Sequence, residues 1–251
     1  MKRLFLIAAL LVATAAHAQD YSQWNRILAT YANPAHGFDY RNLKARDAAA
    51  LQTLRQQLGR VNVNALNAKQ QLAYWINVYN INTVATIVEN YPTKSIRDIS
   101  TDPIIRLNVF KKERVPFGNE KLSLDAVENE KIRGRFKDPR IHFAINCAAK
   151  SCPPIRGEAF TGDKLDAQLD DQARAFLNGP HGARFRNKGT TLVITTTKIM
   201  DWFSDDFDAA GGKAAFIRRY VSPEKQRLID QAKKVEFEFE EYAWELNEWR
   251  R

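Results

Sequence analysis

Apolar residues recur at the i, i+3, i+4 and i+7 spacing in residues 21–32, where Trp24, Ile27, Leu28 and Tyr31 mark one face of an amphipathic helix. Leu51, Leu54 and Leu58 mark a second. A third, longer helix is predicted from a cap at Asn67 to about Asn90, ended by Tyr91-Pro92 because the residue before proline is pushed out of the helical region. Its apolar residues, among them Leu72, Trp75, Ile76, Val78, Ile81 and Val84, lie nearly all round the axis, which predicts burial on most sides. Asn77, Asn80 and Asn82 interrupt them. A buried amide without partners costs about 1–3 kcal/mol, so these side chains either staple neighbouring loops or line a site.

The second half of the chain changes period. Residues 107–117 alternate loosely around Lys111-Lys112-Glu113 and predict strands or a hairpin. Ser123 is suited to cap a helix over 124–133, with Asp125 in the first turn where an anion is favoured. After Asp138-Pro139, the run from Arg140 to Cys147 is expected to be a buried strand, ending in a proline-stopped loop at 148–154. There follow a helix with Leu165, Leu169, Ala173 and Phe176 on one face, a β-branched strand over 190–196, a short aromatic helix at 199–203, a helical pair over 211–232, and a last strand in which Val235, Phe237 and Phe239 alternate with glutamates. Helices early and strands late predict an α+β fold, a helix-rich N-terminal part packed on a mostly antiparallel sheet. With no repeat and no long Pro/Gly-rich linker, residues 19–251 are expected to form a single globular domain.

The N-terminus bears on where this domain works. Met1-Lys2-Arg3, an apolar run from Leu4 to Ala16 and the Ala16-His17-Ala18 triplet have the form of a cleavable signal peptide over residues 1–18. Delivery to the periplasm of a Gram-negative bacterium is the expectation. The run is shorter than the roughly 20 residues of a membrane-spanning helix, no later stretch comes closer, and no membrane span is predicted. The formal net charge is +9. Exported proteins seldom meet nucleic acid, so the basic surface points to no nucleic-acid partner but to anionic lipid head groups, glycans or acidic peptides, or to solvated Lys and Arg faces alone.

Only two cysteines are present, Cys147 and Cys152. In an oxidising compartment such a pair commonly forms a disulfide. The alternative is a nucleophilic Cys147 thiolate, which needs a base and a lowered pKa. His142 is the nearest histidine in sequence, but on a regular strand it would face the side opposite Cys147; a bulge at the strand end would restore contact. Glu128 is a group that could orient His142, or a solvated helix-face glutamate. His36 and His181 sit in polar loops and do not complete a zinc set, so no metal is expected. Asp201, Asp205, Asp206 and Asp208 cluster around Trp202-Phe203 without the spacing of a calcium loop. The chain has no G-x-S-x-G elbow, no phosphate-binding glycine loop and no dinucleotide fingerprint, and no cofactor is predicted.

Several ordered motifs carry a resemblance: Ala73-Tyr-Trp-Ile-Asn-Val-Tyr-Asn80, Ser123-Leu-Asp-Ala-Val-Glu128, Asp138-Pro-Arg-Ile-His-Phe-Ala-Ile-Asn-Cys147, Ser151-Cys-Pro-Pro154 and Ile199-Met-Asp-Trp-Phe-Ser-Asp-Asp-Phe207. Over roughly residues 65–210 the chain resembles the domain-of-unknown-function family numbered 547. The resemblance implies a relationship to papain- and transglutaminase-like thiol enzymes, in which Cys147 and His142 would be the reacting pair. One departure stands out: the family commonly shows Glu-His at the end of the second motif, whereas Glu128 here precedes Asn129.

Two functions are therefore expected. The first is a disulfide-stapled binding or structural module for an envelope ligand, peptide or protein partner, with Cys147–Cys152 locking the loop. The alternative is a thiol-dependent hydrolase or acyltransferase acting on a peptide or amide bond, with Cys147 attacking, His142 as base, and Glu128 or Asn77 orienting it.

Overall fold

The computed structural model describes residues 19–99 and 108–250; residues 1–18, where a signal peptide is expected, and the start of the 107–117 segment lie outside the described residues. Helix Ser22–Tyr31 buries Trp24, Ile27, Leu28 and Tyr31, the face its spacing predicts. It packs on helix Tyr40–Gly59, which in turn lies along helix Ala68–Asn90. Asn67 and Gln70 start that long helix with a reciprocal box: Asn67 Oδ1 accepts from Gln70 N at 3.0 Å and Gln70 Oε1 accepts from Asn67 N at 2.9 Å. Every residue from Gln71 to Val88 is buried, as an all-round apolar pattern requires.

The three asparagines on this helix are staples. Asn77 grips the backbone of Phe160 twice, Asn80 holds Ala144 O and Asn146 N, and Asn82 accepts from Arg55 Nε at 2.8 Å. Through Asn77 and Asn80 the central helix fixes the loops on both sides of the cysteines.

Among the described residues the strands form three small sheets. Val115–Phe117 and Glu120–Leu122 make a hairpin turned at Gly118, whose φ of +58° suits a residue without Cβ. This hairpin starts later in the chain than its predicted 107–117 span, because Asn108 caps a 3₁₀ turn at Val109–Lys111 instead. Ala32–Asn33 pairs with Gly37–Phe38. The largest sheet orders Arg184–Lys188, Thr191–Thr196 and Lys234–Phe239, with the first pair antiparallel and the second parallel. The fold is thus α+β, with a first core around the long helix and a second joining Phe143, Phe176, Phe207 and Phe216 to the Leu192–Ile194 strand.

The expected strand at Arg140–Cys147 is not one. Pro139–Phe143 is a 3₁₀ helix: Asp138 caps it by accepting from Arg140 N at 3.0 Å, and Pro139 occupies its first turn. A short apolar run buried on all sides has no period by which strand and helix can be told apart. The two-residue alternation that would have separated His142 from Cys147 therefore does not apply.

Candidate functional site

The last residues of the chain strap the cysteine loop into place. Lys150 N donates to Glu245 O, Ser151 N to Ala243 O and Asn247 N to Ala148 O, and Ser151 Oγ accepts from Ala243 N. The strap brings Tyr242 and Trp244 beside a loop about ninety residues earlier in the chain. Within that loop Ala148 has φ +63°, a conformation disfavoured for a residue with Cβ. It is held there by Asn146 Oδ1, which accepts from Ala148 N at 2.8 Å.

A cavity of about 200 Å³ opens here. Its lining brings together Glu128, His142, Cys147 and Cys152, with Tyr79, Asp125, Trp202, Phe203, Tyr242 and Trp244 completing much of the wall. Cys147 and Cys152 are free thiols with sulfurs 3.1 Å apart. A disulfide places its sulfurs about 2.05 Å apart, so the expected Cys147–Cys152 bond is absent from this structure. Cys152 is buried and its Sγ accepts from the backbone N–H of Cys147 at 3.0 Å. The Tyr242 hydroxyl lies 3.2 Å from Cys147 Sγ.

These contacts divide the two thiols. The neighbouring Cys152 thiol, and then the Tyr242 hydroxyl, stabilise charge on Cys147 and lower its pKa against the opposing effect of burial. Burial, followed by the charge on Cys147, pushes Cys152 well above an ordinary thiol. Burial also raises Tyr242 far above an ordinary phenol, so its hydroxyl keeps its proton as a donor.

His142 is 2 % exposed, stacked on Phe203 at 4.1 Å, and bonded through Nε2 to Asp206 at 2.7 Å. Burial lowers its pKa and outweighs the bond to Asp206. Near neutral pH the ring is uncharged: Nε2 carries the proton given to Asp206, and Nδ1 is left with its lone pair. Asp206 is held far below an ordinary carboxylate by that bond first and by Arg133, which binds both its oxygens at 2.7 and 3.1 Å.

Glu128 lies on a π-helical segment, Val127–Arg133, between the turns Leu124–Ala126 and Gly134–Phe136. The wider turn falls inside the predicted 124–133 helix and at the site, where such bulges concentrate. Burial pushes the Glu128 carboxyl up to about 7, against the opposing pull of Arg133 and of a hydrogen bond from Tyr79.

Of the expected site residues, the structure unites Cys147, His142 and Glu128. Asn77 is not among them: it is 0 % exposed and its amide is used by Phe160 N and Phe160 O. The group that orients His142 is Asp206. Three of the four clustered aspartates are spent separately on His142 and Arg133, on Lys198 and on Lys213, and among the described residues no His/Cys/Asp/Glu group is arranged to hold a metal. Sequence reasoning missed Tyr242, Trp244 and Tyr79. The alternation that ends at Phe239 gave no sign that the next residues return to the cysteines.

A family described as "Protein of unknown function, DUF547" matches residues 63–177. The chain carries a DUF547 segment. That segment contains Tyr79, Asp125, Glu128, His142 and both cysteines, whereas Asp206, Tyr242 and Trp244 come from beyond it. No curated protein and no solved structure gives a match.

Proposed function

We propose that this chain is a thiol enzyme exported to the periplasm, a hydrolase or acyltransferase acting on a peptide or amide bond. The observation that carries the reading is the convergence of Cys147, His142 and Glu128 on one cavity, with Asp206 bonded to Nε2 of His142. The papain- and transglutaminase-like relationship implied by the family resemblance fits the same trio of thiol, imidazole and carboxylate. The basic, apolar and Ala16-His17-Ala18 regions of the N-terminus support export.

In this reading His142 Nδ1 takes the Cys147 proton. The sulfur attacks the carbonyl carbon, a C–S bond forms, and the C–N bond breaks as the amine leaves with the proton returned by His142. Water or a second nucleophile, deprotonated by His142, then cleaves the thioester. Asp206 is a positioning residue that fixes the tautomer. Glu128, poised near neutrality, is suited to pass a proton on the substrate side of the cavity.

The test is acylation of the reduced protein by p-nitrophenyl acetate. A stoichiometric burst with an acetyl group on Cys147 is expected, retained in amplitude but slowed in Cys152→Ala, which removes the thiol that stabilises the Cys147 charge, and absent in Cys147→Ala. A burst surviving in Cys147→Ala, or none in folded wild-type protein with both thiols free, would overturn the proposal.

Sulfurs 3.1 Å apart are close enough for oxidation to join them, which supports a second reading, a binding module for an envelope ligand or partner protein stapled once the pair is oxidised. Alkylation of the protein as isolated from the periplasm separates the two. Two free thiols support the enzyme and none supports the module.

A further inference from the structure

The cavity differs in charge from the molecule that surrounds it. The chain's formal net charge is +9, yet among the described residues that line the cavity there is no Lys or Arg, and there are two carboxylates, Asp125 and Glu128. Among the described residues neither carboxylate is in an ion pair, and the guanidinium of Arg133 is turned to Asp206. The protein as a whole is basic, whereas this cavity carries acidic groups and is walled with aromatic rings.

The rings are also of a particular kind. Trp202, Tyr242 and Trp244 contact one another with centroids 4.8–5.8 Å apart. Trp202 is 46 % exposed, and among the described residues it stands alone as an exposed large hydrophobic side chain. The protein already sets cations on neighbouring rings, with Arg97 5.0 Å from the centre of Trp244 and Arg133 4.6 Å from that of Phe203. Electron-rich ring faces attract cations, and most strongly where water is excluded. An anion entering this space would meet the Asp125 carboxylate and a Glu128 carboxyl that is ionised for part of the time near neutral pH, and a neutral apolar group would strip water from both without replacing it.

We infer that the cavity takes a substrate that carries an organic ammonium close to its scissile carbonyl, the ammonium held by the aromatic wall and by Asp125 and Glu128 and the carbonyl presented to Cys147. The inference rests on the thiol-enzyme reading for its substrate, and names the class. A volume of about 200 Å³ suits one such head group, such as an aminoalkyl side chain, with the rest of the molecule outside. The basic outer surface and the acidic cavity thus select for different things.

The experiment uses the reduced, full-length mature Cys147→Ala protein, which cannot acylate, and follows tryptophan fluorescence and binding heat. The probes are choline, its neutral isostere 3,3-dimethyl-1-butanol, and 3,3-dimethylbutanoate. The expected result is saturable choline binding at least about tenfold tighter than the alcohol, no binding of the carboxylate, and loss of the preference in a variant that also carries Asp125→Asn and Glu128→Gln. Equal affinity for choline and the alcohol would overturn the inference, as would tighter binding of the carboxylate or no saturable choline binding by a protein with a folded circular dichroism spectrum. Choline preference together with a missing wild-type acylation burst would remove the chemistry and keep the site. A burst without the preference would do the reverse.

Discussion

His142 and Asp206 meet at 2.7 Å across 64 residues of sequence, one from a buried 3₁₀ turn and the other from the short helix Ser204–Ala209. The bond engages Nε2 of the imidazole and leaves Nδ1 as the nitrogen with the lone pair. Because Arg133 grips the same carboxylate through both oxygens, Asp206 is itself held in one orientation.

Replacing Asp206 with Asn should therefore act on chemistry more than on folding. We predict that Asp206→Asn slows p-nitrophenyl acetate acylation by about 10²-fold and shifts its pH profile, while partly exposed Asp206 costs about 2 kcal/mol in urea unfolding. Asp206→Glu should recover part of the rate. An unchanged pH profile would make the residue merely structural.

Glu128 makes stability depend on pH. Its folded pKa of about 7 lies above the unfolded value of 4.5, so folding binds its proton more tightly. Its contribution is full below about pH 4.5 and is lost as pH rises through 7, up to about 3 kcal/mol. Burial sets the shift; Arg133 and Tyr79 oppose it, and Asp125 and Asp206 add to it. Glu128→Gln should flatten the urea-midpoint profile between those pH values and raise stability at pH 8; an unaltered profile would count against the assignment.

Asn77→Ala separates scaffold from site. Removing both bonds to the Phe160 backbone leaves a buried N–H and C=O without partners, a loss of about 2–4 kcal/mol. Under conditions where the variant is folded, Cys147 should alkylate at the wild-type rate. A slowed reaction would return Asn77 to the site.

Oxidation should close the thiol pair. With the sulfurs 3.1 Å apart and the loop strapped by residues 243–247, diamide treatment is expected to yield an intramolecular Cys147–Cys152 disulfide, seen by mass, and to abolish acylation reversibly. Intermolecular dimers as the main product would contradict this placement.

Much of the helical scaffold was legible because its signals are local. The i, i+3, i+4, i+7 face of Trp24, Ile27, Leu28 and Tyr31 and the box at Asn67 depend on neighbours along the chain. The site was legible in part: Cys147, His142 and Glu128 stand in adjoining motifs, and their residue types suit thiol chemistry. What could not be read was distance. The Arg140–Cys147 run lacks a period because it is largely buried, so its sequence reads as a strand that would turn His142 away from Cys147, where the chain instead forms a 3₁₀ helix. Asp206 looked like one acid among four until the fold set it against His142, and Tyr242 reaches Cys147 only through backbone pairing of the C-terminal strap. Asn77, buried in the motif-bearing helix, looked equally fit for a site and for a staple.

The account stands on an activated Cys147, and iodoacetamide labelling of the reduced, folded protein across pH, read by peptide mapping, tests this most directly. It predicts that Cys147 is alkylated ahead of Cys152, with an apparent pKa below the roughly 8.5 of a free cysteine. Labelling of Cys152 first, or of neither thiol until the protein unfolds, would contradict it.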